Sequence, residues 1–335
     1  MSIFSPNTKD ELKTAVDLYC NNELIALEKY GIINTWDTSK ITDMSRLFKG
    51  KEKFNSDISS WDVSNVSNMK YMFWYASSFN QDISLWNVSN VTDMNSMFNI
   101  AESFNQDISL WDVSNVINMV DMFKYAENFN QDISNWDVSN VTNMSYMFYR
   151  TPFNQDILLW DVSNVTDMSY MFYSTPFNQD ISLWDVSNVK DMYSMFERTE
   201  LFNQDISNWD VSNVKDMSYM FEYAELFNQD ISNWDVLQVE NMSGMFAHTD
   251  SFNQDISKWD VSQVKNMSSM FNDAKSFNNN LSNWNTSNVL NMDYMFSNAI
   301  SFNIDISNWN TKKVKDPYNM FYNCNIKEEY KPKFK

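Results

Sequence analysis

Regularly spaced carboxylates are the first residues in this sequence that could do chemistry. Asp57, Asp82, Asp107, Asp132 and their equivalents through Asp305 each stand four residues before a tryptophan. Stacked carboxylates hold calcium in some repeat proteins, but those sites use glycine-rich turns, and this chain has only 3 Gly. Asn280 replaces the aspartate in one repeat. The position after the tryptophan changes in the same way, from Asp62 to Asn87, Asn285 and Asn310. An exchange of Asp for Asn keeps a hydrogen-bond acceptor and discards the charge. The columns therefore read as turn caps, with cation binding as the alternative.

Catalysis needs unlike groups converging in one place. His248 is the only histidine, and it occupies a position where other repeats carry Tyr223, Ile100 or Arg150, so it reads as a solvated loop residue. No glycine-rich phosphate loop, Cys/His metal set or GxSxG element is present. The chain is read as non-enzymatic, with no catalytic residue, no metal site and no cofactor.

Binding is the remaining chemistry. Leu85, Leu110, Leu159 and Leu183 stand just before a tryptophan, where other repeats have Asn135, Asn208 or Asn233, and Leu158 stands where others have serine. Exposed, they form an apolar patch interrupted once; half-buried, they are packing residues. A second candidate is the loop pair Trp74 and Tyr75, Trp74 being the one tryptophan outside the regular ladder. In repeat proteins the constant positions build the core and the variable ones read the partner.

The elements that position these residues come from the repeat. Trp36, Trp61, Trp86 and so on to Trp309 are spaced by 25 residues, with two steps of 24. Val or Thr two residues after each tryptophan suggests a short strand. Val141, Met144, Met147, Phe148 and Thr151 recur with helical spacing, which predicts a short helix or 3-10 turn. Asp or Asn precedes the first methionine of this stripe, from Asp43 and Asn68 to Asp316, and suits a helix N-cap. A column of small residues (Ala76, Ala101, Thr151, Cys324) favours close stacking, and the asparagine after each FN phenylalanine (Asn55, Asn80, Asn105) can bond along the stack. The expected fold is a leucine-rich-repeat-like solenoid of about twelve rungs, each a short strand plus a short helix or 3-10 turn. Residues 1–32 form an N-terminal helical cap, with Thr8 and Glu11 as a capping box and Gly31 as a stop; residues 33–323 form the solenoid; residues 324–335 form a tail or cap.

A formal net charge of -20 opposes nucleic acid and anionic membranes and favours basic partners. No apolar run is long enough for a spanning helix, so no membrane insertion is expected. Cys20 and Cys324 fall at opposite ends of a stack and are not expected to pair.

The unit FNQDISxWDVSNVTxMSxMF resembles the repeat of the BspA-like leucine-rich-repeat surface proteins, a repeat also found in mycoplasma-type surface lipoproteins. The resemblance covers about residues 33 to 323. It implies a solenoid used for adhesion or for binding a protein or glycan partner, at a cell or particle surface, with no catalytic residues to carry over. The chain departs from that pattern in showing no lipobox, signal segment or wall anchor. The rival reading is a structural component of a particle or filament.

Overall fold

Helix formation is confined to the start of the chain, where local signals suffice. The computed structural model describes residues 3–315 and 317–334, so the N-cap expected at Asp316 lies outside the described residues. Helix α1 spans Lys9–Asn21, and the Thr8 side chain accepts from the Glu11 N–H. Glu11 reaches back to the Asn7 N–H at 2.7 Å. The helix buries Leu12, Ala15, Val16 and Tyr19. Asn22 caps helix α2, Glu23–Tyr30, which ends at Gly31 with a left-handed φ of 75°. That φ is accessible to glycine without steric cost.

From there on the expected architecture is wrong. Among the described residues there is no strand, and after α2 only the 3-10 turns Ile33–Thr35 and Glu328–Tyr330 are helical. Parallel pairing is reduced to isolated bridges such as Asp43 to Asn68 and Asp191 to Asp216. The chain is therefore not a leucine-rich-repeat-like solenoid of strand-plus-helix rungs.

The run Met69–Ala76 shows the physical reason. Its N–H groups alternate in direction. Those of Met69, Tyr71, Phe73 and Tyr75 donate to Asp93, Asn95, Met97 and Asn99 in the next repeat, while those of Met72, Trp74 and Ala76 turn back to Met69, Tyr71 and Phe73. A strand would direct its ladder groups sideways, and a helix would direct them all along its axis. Overlapping turns do both at once. Tyr71 and Tyr75 have φ of 58°, which breaks any helix of L-residues. The Val141, Met144, Met147, Phe148 and Thr151 stripe is buried as expected, but on turns. The valines after tryptophan are buried because they point inward; Val63 closes a turn to Val66 rather than extending a strand.

The chain divides into two compact units, Met1–Asn164 and Val165–Lys335. In the first, Phe48, Phe73, Phe98, Phe123 and Phe148 stack with ring separations of 5.3, 5.5, 5.7 and 5.9 Å. In the second, Phe172, Phe196, Phe221 and Phe246 stack at 5.7 to 5.8 Å. Tryptophan, isoleucine, valine and methionine side chains fill the space around these columns.

Candidate functional site

The overlapping turns sort each repeat into buried and outward positions. Met69, Met72, Phe73 and Ala76 are buried; Lys70, Tyr71 and Trp74 are half-buried, and Tyr75 is exposed. The outward residues make a turn face. Two outward positions per repeat take a left-handed φ. Gly50 and Gly244 fill two of these positions, but most hold large side chains, including Tyr71, Tyr75, Ile100, Tyr125, Arg150, Tyr219 and His248.

In the N-terminal unit this face is basic and aromatic. Lys49 lies over the Trp74 ring at 4.2 Å, and Arg46 and Lys70 approach the Tyr71 ring at 5.2 and 5.3 Å. Lys124 lies over Tyr146 at 4.0 Å and pairs with Asp121 at 3.2 Å. Arg150 approaches Tyr125 at 5.7 Å. Between Trp74 and Lys124 the intervening repeat buries the short side chains of Asn95, Ser96 and Asn99 and leaves Ile100 half-buried. The Asn99 Oδ1 atom is buried without a hydrogen bond among the described residues.

In the C-terminal unit the face is acidic. Tyr170 and Tyr193 meet edge-on at 4.8 Å, and Tyr193 and Tyr219 at 5.7 Å. Arg198 lies over Tyr223 at 4.4 Å, and Tyr223 stacks on His248 at 4.2 Å. His248 is thus half-buried against a ring rather than a solvated loop residue, and burial pulls its pKa down. Glu197 accepts from the Ser194 hydroxyl at 2.6 Å. Burial, reinforced by the neighbouring charge of Glu197, pushes Glu222 up to about 7.

The repeated polar residues are taken up internally. Asp132 Oδ1 accepts from the Ser134 N–H at 2.9 Å, Asp137 from Ser139 at 3.0 Å, and Asn143 from Ser145 at 2.8 Å. These are Asx turns, so the residues before methionine cap turns, not helices. Hydrogen bonds from Ser134 and Ser139 hold Asp132 and Asp137 below the usual carboxylate range. Asn105 Oδ1 takes the Asn130 N–H at 3.0 Å and the Gln131 amide at 3.0 Å. Cys20 and Cys324 are free, and burial raises both thiols, Cys20 to about 11. Cys20 borders a cavity of about 470 Å³ in whose wall Tyr19 pairs with Glu23 and Lys51 with Asp17.

The family described as "Mycoplasma protein of unknown function, DUF285" matches residues 21–120, 85–176, 150–250 and 227–332. The chain belongs to this family. The resemblance to BspA-like leucine-rich-repeat proteins is corrected accordingly: DUF285 is the family that matches, and the strand-free backbone does not fit a leucine-rich repeat. No curated protein matches the chain.

Within this DUF285 chain the sequence-derived binding residues fall on two different turns of the repeat. Trp74 and Tyr75 lie on the turn face. Leu85, Leu110 and Leu159 are 84, 77 and 82% exposed on the turn that ends at each tryptophan. Leu158 beside them is half-buried, and Leu183 is exposed in the other unit. Sequence reasoning missed Tyr71, Tyr125, Tyr146, Tyr149 and Tyr219. Their signal was the aromatic variation flanking each MF pair, which a helical reading spread over unrelated directions.

Proposed function

We propose that this protein is a non-catalytic binding protein that recognises a protein partner, in an adhesion or assembly role, through its turn face. The observation that carries this reading is the choice of residue at the left-handed backbone positions. Such a φ costs an ordinary L-residue about 1–2 kcal/mol, and glycine or asparagine relieves it. Yet Tyr71, Tyr75, Tyr125, Tyr146, Tyr170, Tyr219, Tyr223 and Tyr294 occupy these sites. Large aromatics held outward at strained positions fit a role in contact, since tyrosine, tryptophan and arginine dominate interface energetics. The constant polar groups support the same reading from the other side: they cap turns and join repeats, which leaves the variable positions to distinguish partners.

The test is quantitative protein capture from cell extracts by immobilised wild type and by the Trp74→Ser, Tyr149→Ser, Tyr219→Ser triple variant, at matched folding. Proteins enriched on wild type and lost on the variant are expected. Identical capture by both would instead favour a structural particle or filament component.

A further inference from the structure

The turn face carries opposite charge in the two units. From the residue after the first methionine to the second after phenylalanine, the repeats of the N-terminal unit hold Arg46, Lys49, Lys70, Lys124 and Arg150 against the single carboxylate of Asp121. The same stretches of the C-terminal unit hold Glu197, Glu222, Asp273 and Asp293 against Arg198. A chain of net charge -20 has thus gathered cations on the turn face of its N-terminal unit.

We propose that the N-terminal turn face docks a short acidic segment of a partner protein. This rests on the turn face being the recognition surface. Each of the five cations lies within 5.8 Å of an aromatic ring centroid. A charge resting on a ring loses less rotamer freedom when it meets a carboxylate, which favours binding. The flat aromatic surfaces of Trp74 and Tyr149 supply apolar contact beside those charges, the mixture found at interface hot spots. Between them the repeat buries Asn95, Ser96 and Asn99 and presents half-buried Ile100, an uncharged apolar side chain between the two aromatic clusters.

A protein segment fits better than a polyanion. A long nucleic acid or sulfated glycan is repelled over its length by a chain of net charge -20. A short acidic segment can end within the patch. Over a Debye length of about 8 Å at physiological salt, the local cations outweigh the distant net charge.

The test uses the full chain and three fluorescent probes at physiological salt: an alternating Glu-Tyr decapeptide, an alternating Lys-Tyr decapeptide and a heparin octasaccharide. The Glu-Tyr peptide is expected to bind. Lys49→Glu with Lys124→Glu should weaken it at least about tenfold, the change a single disrupted interfacial charge pair produces. Lys258→Glu, on an exposed position elsewhere, should leave it unchanged, and melting curves show whether each variant is folded. Trp74→Ser, which leaves the charges in place, should also weaken binding. Preference for the Lys-Tyr peptide, binding of heparin alone, or Glu-Tyr binding insensitive to Lys49 and Lys124 would overturn the proposal. So would the absence of any binding; the capture experiment on extracts then decides separately whether the turn face recognises protein at all.

Discussion

The indole N–H of Trp136 donates to the carbonyl of Ile108 at 3.1 Å, 28 residues back in the chain. Trp111 does the same to Ile83, and in the C-terminal unit Trp234 does so to Ile206. Each of these three tryptophans therefore ties its own repeat to the preceding one inside the core. Trp136→Phe keeps most of the apolar volume and removes the donor. The Ile108 carbonyl still accepts from the Trp111 N–H at 3.1 Å, so the expected loss is about 0.5–1.5 kcal/mol, the net worth of one hydrogen bond, and urea denaturation measures it.

A second pair sets the backbone of the C-terminal face. The Tyr219 ring lies where a side chain on Gly244 would stand, and Gly244 has a φ of 61°. Gly244→Ala should therefore lower the melting temperature through both clash and strain. Adding Tyr219→Ala should recover the clash component and leave the strain. If the double variant is no more stable than Gly244→Ala alone, the ring contact is not what requires glycine.

Asp132→Asn is expected to be nearly neutral in thermal melting, because Asn280 already caps the equivalent turn by accepting from Ser282 at 2.9 Å. Asp132→Ala should lower the melting temperature measurably, because the Ser134 N–H then has no side-chain acceptor. A large drop for the asparagine variant would mean that the charge itself matters.

Much of this was legible in the sequence, and the missing part has a definite cause. Thr8 and Gly31 act locally, so their capping roles follow from residue type. The asparagine ladder was legible because a bond such as that from Asn130 N–H to Asn105 Oδ1 needs only repeat-to-repeat equivalence. The backbone between was not. Spacings of three and four residues bury Met144, Met147 and Phe148 equally well on a helix or on overlapping turns, and periodicity cannot tell these apart. What separates them is the left-handed φ at Tyr146 and Arg150, residue types that give no warning of it. The turn face went unseen for the same reason: placing Tyr71, Trp74 and Tyr75 together requires the turns. Exposure of Leu85, Leu110 and Leu159 was one of two readings left open, and the structure places all three outward.

Acidity should act on stability in two opposite ways. Glu222 rises from 4.5 to about 7 when the chain folds. A carboxyl raised on folding favours the protonated native state, so stability should increase as pH falls from about 7 toward 4.5. The capped aspartates act in reverse. Asp132 and Asp205 lie below their ordinary 3.8, so the stability they contribute is lost as pH falls below that value. Glu222→Gln should flatten the melting profile between neutrality and the ordinary glutamate range, while leaving the acid limb unchanged. The lowered His248 opposes this slope below its ordinary 6.5, so the decisive comparison is between the two proteins: a profile between neutrality and pH 4.5 that Glu222→Gln leaves unchanged would contradict this assignment.

Site-specific photo-crosslinking tests the central claim most directly. A benzophenone amino acid replaces Tyr75, Tyr125 or Tyr223 on the turn face, Leu110 on the tryptophan turn, or Leu237 as an exposed control, and each protein is irradiated in cell extract. The expected result is crosslinking of a discrete partner protein from one or more of the three turn-face positions, above the level at Leu237. Crosslinks from Leu110 alone, or none above the control at any turn-face position, would contradict recognition through the turn face.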